Sequence, residues 1–192
     1  MRHPPFLLLL LPLALAGCRL GPYSEFVGPD ARLEKRIQQK VLALRYARGG
    51  ELLDTIGWLQ RCGEPAYPGL LDALSEGQPS VRAAAALVLG ATGDRRLVPY
   101  LKPHREDGDL NVRYEVARAL ARLGDWSSLE TLIAGLRDGS PYVRALCHET
   151  LCQVTRLDFG YAPLGPDAER APAVERWESW WERRRSDPFF GG

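Results

Sequence analysis

Apolar and small residues return along this chain at a fixed interval of 31 residues. Val81-Arg82 recurs as Val112-Arg113 and again as Val143-Arg144. In the same register stand Ala85, Val116 and Cys147, then Val88, Ala119 and Thr150, then Leu89, Leu120 and Leu151. Counted from the valine, these are positions 0, 4, 7 and 8, which lie on one face of an α-helix. Gly93-Asp94 and Gly124-Asp125 follow where such a helix closes on a left-handed residue, a conformation glycine adopts without steric cost. A second apolar set, Leu70, Leu101 and Leu132, has Tyr67, Val98 and Leu129 three residues earlier and marks a second helix. A two-helix unit cannot bury its apolar face alone, so a period of this length predicts stacked units forming an α-solenoid.

The pattern divides the rest of the chain. Asp30 is placed to cap a helix from Ala31 to about Arg48, whose stripe of Leu33, Ile37, Val41 and Leu44 suits it to cover one end of the stack. Gly49-Gly50 is expected to stop it. The first unit, residues 51–77, is degenerate, with Trp58 in the register of Leu89. The second, 78–108, is the most regular at its start and the least at its end. Lys102 and Arg105 stand where the neighbouring units have Leu71/Ile133 and Leu74/Leu136, and Pro103 cannot continue a regular helix. A charged, exposed turn over 102–109 is the expectation. The third unit, 109–139, is regular, and the fourth supplies a helix over 141–155 with Ser140 as its cap. Beyond it the period fails. A loop carrying Phe159 and Tyr161 precedes a last helix from about Pro172 to Arg185, with Val174, Trp177, Trp180 and Trp181 on one side and Trp181 expected to be partly exposed. The organisation read from the pattern is thus a solenoid over 30–155, then a loop, a Trp-rich capping helix and a tail over 156–192.

Residues 81–101, 112–125 and 136–144 resemble the HEAT-repeat family, in the short form found in bilin-lyase-like proteins, and the resemblance extends over about 47–160. It implies an all-α, right-handed α-solenoid of three to four helical hairpins with capping helices at both ends. Scaffolds, adaptors, lyases and a metal-dependent hydroxylase share such repeats, so the fold alone does not assign an activity. The strings D-F-G-Y at 158–161 and R-W-E-S-W-W at 176–181 resemble the C-terminal ends of bacterial HEAT-repeat lipoproteins.

The N-terminus carries a different signal. Arg2 and His3 precede an eleven-residue run, Phe6 to Ala16, that is apolar but for Pro12. A spanning helix needs about 20 residues, so this run has the length of a signal-peptide core. Leu15-Ala16-Gly17-Cys18 resembles a bacterial lipobox, which implies removal of residues 1–17 and lipidation of Cys18. Residues 18–29, with breaks at Gly21-Pro22 and Gly28-Pro29, then read as a tether. The implied location is the bacterial cell envelope, lipid-anchored and facing the periplasm. Arg19 stands where an aspartate would favour the inner membrane, which leans the expectation toward the outer one. The chain has 25 basic and 24 acidic residues. So balanced a charge argues against nucleic-acid binding, which draws on phosphate neutralisation.

Little else in the sequence carries chemistry. There is no Gly-rich phosphate loop and no nucleophile elbow, and beyond the signal segment the histidines are His104 and His148. His148-Glu149 has Ala117-Arg118 and Ala86-Leu87 at the corresponding positions of the preceding units, so no pair of His-Glu dyads forms. No catalytic residue, metal or cofactor is expected, and the protein reads as a non-enzyme. Arg82, Arg113 and Arg144 form a ladder read as structural, with Asp94, Asp125 and Asp138 as available partners. Cys147 takes a core position, and Cys152 lies about 140° around the helix from it, poor geometry for a disulfide. The function expected is a membrane-anchored scaffold holding a protein or peptide on a concave face lined by the second helix of each unit. Lys102, His104, Arg105 and Trp181 are the candidate contacts. The alternative is a bilin-lyase-like enzyme or cofactor-holding protein.

Overall fold

The computed structural model describes residues 22–187; the expected signal segment and Cys18 lie outside them. The helices of the described chain are α1 (Ala31–Ala43), α2 (Gly49–Cys62), α3 (Tyr67–Glu76), α4 (Pro79–Gly90), α5 (Val98–Leu101), α6 (Leu110–Arg122), α7 (Leu129–Gly135), α8 (Pro141–Thr155) and α9 (Asp167–Arg185). Short 3-10 turns occupy Glu64–Ala66, Arg95–Leu97 and Lys102–Glu106. The protein is an all-α solenoid.

Local chemistry sets the element ends. Asp30 accepts the Leu33 N–H at 2.8 Å and starts α1. Asp109 accepts the N–H groups of Asn111 and Val112 at 2.9 and 3.1 Å and starts α6, and Ser140 does the same for α8 through Val143. Each cap satisfies a backbone donor that the first helical turn leaves without a partner. Gly93 and Gly124 close α4 and α6 with φ of 75° and 82°. Gly49, at φ 52°, opens α2 instead of terminating α1, which ends at Ala43. The repeated apolar positions form the core: Ala85, Leu89, Val112, Val116, Leu120, Cys147 and Leu151 are all buried.

The helices stack in two rows, α2, α4, α6 and α8 in one and α1, α3, α5, α7 and α9 in the other. The first row is the tighter. α4 lies so close along α6 that a Cβ added to Gly90 would sit 2.4 Å from the Ala119 Cα. In the other row α5 is a single turn, and α3, α5 and α7 barely touch one another. The row that holds this close pair is termed the inner row and the other the outer row.

The side of the stack around the single-turn α5 is packed from the N-terminus. Phe26 is buried between Tyr67 of α3 and Tyr100 of α5, with ring centroids 5.2 and 5.7 Å away. The Tyr100 hydroxyl donates to Glu25 at 2.6 Å, and Glu64 accepts the Val27 N–H at 2.9 Å. Residues 23–27 thus dock against the outer row, where the Gly-Pro pattern suggested a free tether. Two aromatic residues among the turn formers were the signal for it.

At the other end α9 starts at Asp167, before the expected Pro172, which falls in its second turn. Trp177 is wholly buried and meets Phe159 edge to face at 4.7 Å. Trp181 is only 8% exposed, contrary to the sequence reading. The half-buried member of the trio is Trp180, set against Trp126.

Candidate functional site

On the inner row the residue before each core valine starts a second stripe. Ser80, Asn111 and Tyr142 share this register, as do Ala84, Glu115 and Leu146, then Leu87, Arg118 and Glu149, then Ala91, Arg122 and Gln153. These positions recur three or four residues apart and so share one face of the row. On α4 the stripe is small or apolar; on α6 it is charged. A recess of about 160 Å³ opens between Ala83, Asn111, Glu115, Tyr142 and Leu146. Tyr142, at 71% exposure, forms its outer wall.

Arg118 forms the polar floor of this recess and is only 4% exposed. A buried guanidinium survives only if its donors are met. Its Nη1 donates to both Glu115 carboxylate oxygens at 2.7 and 2.8 Å, and its Nε donates to Thr150 Oγ1 at 3.0 Å. The Thr150 hydroxyl in turn donates to the Leu146 carbonyl at 2.9 Å, so the network joins α6 to α8. Burial raises the Glu115 carboxyl, with Arg118 opposing. One turn on, burial and then the Arg118 charge push the Arg122 guanidinium below its ordinary value. The Glu115 and Glu149 carboxylates oppose this shift through charge, and no hydrogen bond ties Arg122 to another of the described residues. A half-buried cation left without an acceptor fits an incoming carboxylate or carbonyl.

Arg118 lies outside the repeated apolar positions, at the sixth residue from Val112, so the period does not mark it. The signal was there: Arg118 stands inside the apolar string Val116 to Leu120.

The residues singled out beforehand lie elsewhere. Lys102 Nζ is 2.7 Å from Asp125 Oδ2. Burial pulls the Asp125 carboxyl upward, but hydrogen bonds from Lys102 and Ser127 outweigh it and hold the group below its ordinary value. Arg105 donates to the Lys102 carbonyl at 3.2 Å and to Ser127 Oγ at 3.5 Å. Burial lowers the His104 imidazole, with Asp107 opposing. The 3-10 turn that carries all three therefore braces the outer row against the next unit. Arg105 also borders an open groove of about 470 Å³ with Glu106, Arg113 and Glu130. Trp181 packs in the core beneath α9, apart from these residues.

The arginine ladder is bound differently from the pairing first considered. Arg82 donates to the Gly77 carbonyl at 2.7 Å and grips Asp107 through Nε and Nη2 at 2.8 and 2.6 Å. Arg113 donates to the Asp107 carbonyl at 2.6 Å. Arg144 donates to the carbonyls of Asp138, Gly139 and Pro163 at 2.8, 3.0 and 2.9 Å. Each arginine thus clamps the turn that precedes its own helix, and two of them reach onward to the following turn. Asp94 instead engages Arg96, and Asp125 engages Lys102. Asp138 supplies its carbonyl, not its carboxylate, to Arg144, while its carboxylate accepts from Tyr114 at 3.1 Å.

Three cysteines of the described chain, Cys62, Cys147 and Cys152, are free. Burial pushes the Cys147 thiol up to about 12, which makes it inert. One group of metal-ligand type is present among the described residues, His148, Cys152 and Asp158.

The curved stack of helical hairpins, clamped turn by turn through a repeated arginine, defines an α-solenoid built from short repeats. Residues 59–153 match the family model of HEAT repeats, and this repeat region belongs to the HEAT-repeat family. Among solved structures the chain is similar to one in the complex of CpcE and CpcF of phycocyanin lyase from Nostoc sp. PCC7120. The identity is 20% and the TM-score 0.53, over 74% of this chain and 98% of that one, a likeness of fold. It also matches human deoxyhypusine hydroxylase in complex with glycerol, at 26% identity and a TM-score of 0.43, over 71% of this chain and 49% of that one. No curated protein matches the sequence significantly. No described helix is long and apolar enough to cross a membrane.

Proposed function

We propose that this protein is a non-enzymatic scaffold that holds a protein or peptide on the face formed by α4, α6 and α8. The observation that carries the reading is the recess floored by the Glu115–Arg118 pair, with the acceptor-free guanidinium of Arg122 beside it. At about 160 Å³ the recess admits a single side chain. Small-molecule and cofactor sites span roughly 300–1,000 Å³ and enclose their ligand, so this recess suits a segment of polypeptide better than a bilin-type cofactor. One partner side chain enters between Tyr142 and Leu146, and a partner carboxylate or backbone carbonyl pairs with Arg122.

The anchor belongs to the same proposal. Lipidation of Cys18 ties the chain to a bacterial envelope membrane, and a diacyl anchor holds stably where one chain is marginal. Cys18 lies five positions before the docked Tyr23, a reach of at most roughly 18 Å. The outer row, where Tyr23 to Val27 dock, then lies toward the membrane, and the face of α4, α6 and α8 turns away from it.

The test is capture from native membranes with the full chain. The wild-type protein retains a partner that Arg122→Glu loses, while the thermal midpoint of Arg122→Glu stays within a few degrees. Retention of that partner by Arg122→Glu together with its loss in Arg105→Glu would move the binding surface to the 3-10 turn and overturn the proposal.

A further inference from the structure

We propose that His148, Cys152 and Asp158 form a binding site for a borderline-soft divalent cation of the Zn²⁺ class. His148 and Cys152 are four residues apart on α8 and so share one of its faces. The helix ends on Arg156 in the left-handed region, at φ 61°, which turns the chain back along the helix. This reversal brings Asp158 to the two α8 side chains. His148 Nε2 lies 3.2 Å from Cys152 Sγ and 3.5 Å from Asp158 Oδ1, and the three ligand atoms all fall within 4.8 Å of one another.

Two features hold the ligands in place. Asp158 Oδ1 accepts the Gly160 N–H at 2.8 Å, which fixes the carboxylate on its loop. The His148 ring packs against Tyr161, centroids 5.1 Å apart, and the Tyr161 hydroxyl donates to the Leu136 carbonyl. The loop that carries Asp158 is therefore pinned to the body of the fold through Tyr161.

The geometry separates a cation site from a nucleophile. A Cys-His-Asp relay needs the thiol on one ring nitrogen and the carboxylate on the other. Here both approach Nε2, so the three groups converge on a common point instead of forming a chain. Bonds of about 2.3 Å to sulfur, 2.0–2.1 Å to nitrogen and 2.0–2.2 Å to oxygen place the ligands of a tetrahedral Zn²⁺ roughly 3.3–3.6 Å apart. The observed separations from Nε2 are close to these. Thiolate, imidazole and carboxylate together suit Zn²⁺ better than Mg²⁺ or Ca²⁺, which take oxygen ligands. The exposed side of the cluster leaves a fourth position for water. Binding releases the Cys152 thiol proton to solvent, and the resulting thiolate supplies the bond to the metal.

Titration of the full chain with Co²⁺, followed by competition with Zn²⁺, tests the site. One Co²⁺ per chain is expected, with a sulfur-to-cobalt charge-transfer band that Zn²⁺ abolishes. Cys152→Ser removes the band and Cys62→Ser leaves it intact. Asp158→Asn, at an exposed position that the fold tolerates, weakens Zn²⁺ binding at least about 100-fold, the upper end of what even a second-sphere partner costs. Two outcomes overturn the proposal: no Zn²⁺ or Co²⁺ uptake by a folded wild-type chain, or a band and affinity that persist in Cys152→Ser and Asp158→Asn.

Discussion

Gly90→Ala reads the close spacing of the inner row directly. In a helix interior this substitution ordinarily stabilises by about 1 kcal/mol, because alanine has the higher helix propensity. At Gly90 the new methyl would stand 2.4 Å from the Ala119 Cα and 2.5 Å from its Cβ. Carbon atoms in contact rest about 3.5–4.0 Å apart, so α4 and α6 must separate by about 1 Å or more, and both obstructing atoms belong to a rigid helix. Overpacking of this kind costs about 1–3 kcal/mol and occasionally more. Because the clash is with backbone, the upper part of that range applies, and the net loss after the propensity gain is about 2 kcal/mol. For a chain of this size that lowers the thermal midpoint by about 4–8 °C. Gly57→Ala in α2 is the matched control. Its Cβ meets only the flexible end of Arg61, at 3.4 Å, so it should stabilise by up to about 1 kcal/mol. Urea unfolding of the three proteins decides the matter. Equal stabilisation by both substitutions would falsify the close α4–α6 contact.

Asp107→Asn removes the charge that Arg82 grips, and breaking a pair this buried costs about 3 kcal/mol in denaturant unfolding. The Arg82 hydrogen bond holds the Asp107 carboxyl below its ordinary 3.8, so its contribution is complete above 3.8 and fades as the pH falls further toward the folded value. The gap between wild type and variant should be constant near neutrality and close in acid; a gap that widens in acid contradicts the pairing. Leu120→Ala, at a fully buried repeat position, should cost about 2–5 kcal/mol, and a loss under about 1 kcal/mol would mean that the core face is misassigned. Cys18→Ser should block metabolic labelling with palmitate, and unchanged labelling would remove the lipid anchor.

Periodicity carried much of the fold. The 31-residue register names Val112, Val116, Leu120 and Leu151 as core, and all four are fully buried. Register says which side chains point inward, but curvature depends on how closely two helix backbones approach. That distance is set by single small residues such as Gly90 and Ala119, whose sequence signal is weak. The close approach of α4 to α6 was hidden for this reason. The partners of Arg82, Arg113 and Arg144 were hidden by turn geometry. Asp107 and Asp138 each fold their carboxylate onto an N–H two residues ahead, which presents the turn carbonyls to the arginines. The metal-type cluster depends on a chain reversal at Arg156, a non-glycine residue in a region that sequence seldom announces. Lys102 and Arg105 were conspicuous because they broke an apolar pattern, yet pairing with Asp125 and Ser127 uses their polar groups internally.

The most direct test of the binding surface is site-specific photo-crosslinking in cells that express the chain natively. A photoreactive side chain is placed at Tyr142, on the exposed wall of the concave recess, and separately at Arg105, on the outer 3-10 turn. A discrete adduct of one partner from position 142, lost when Arg122→Glu is added, is the predicted result. An adduct from position 105 with none from position 142 would contradict it.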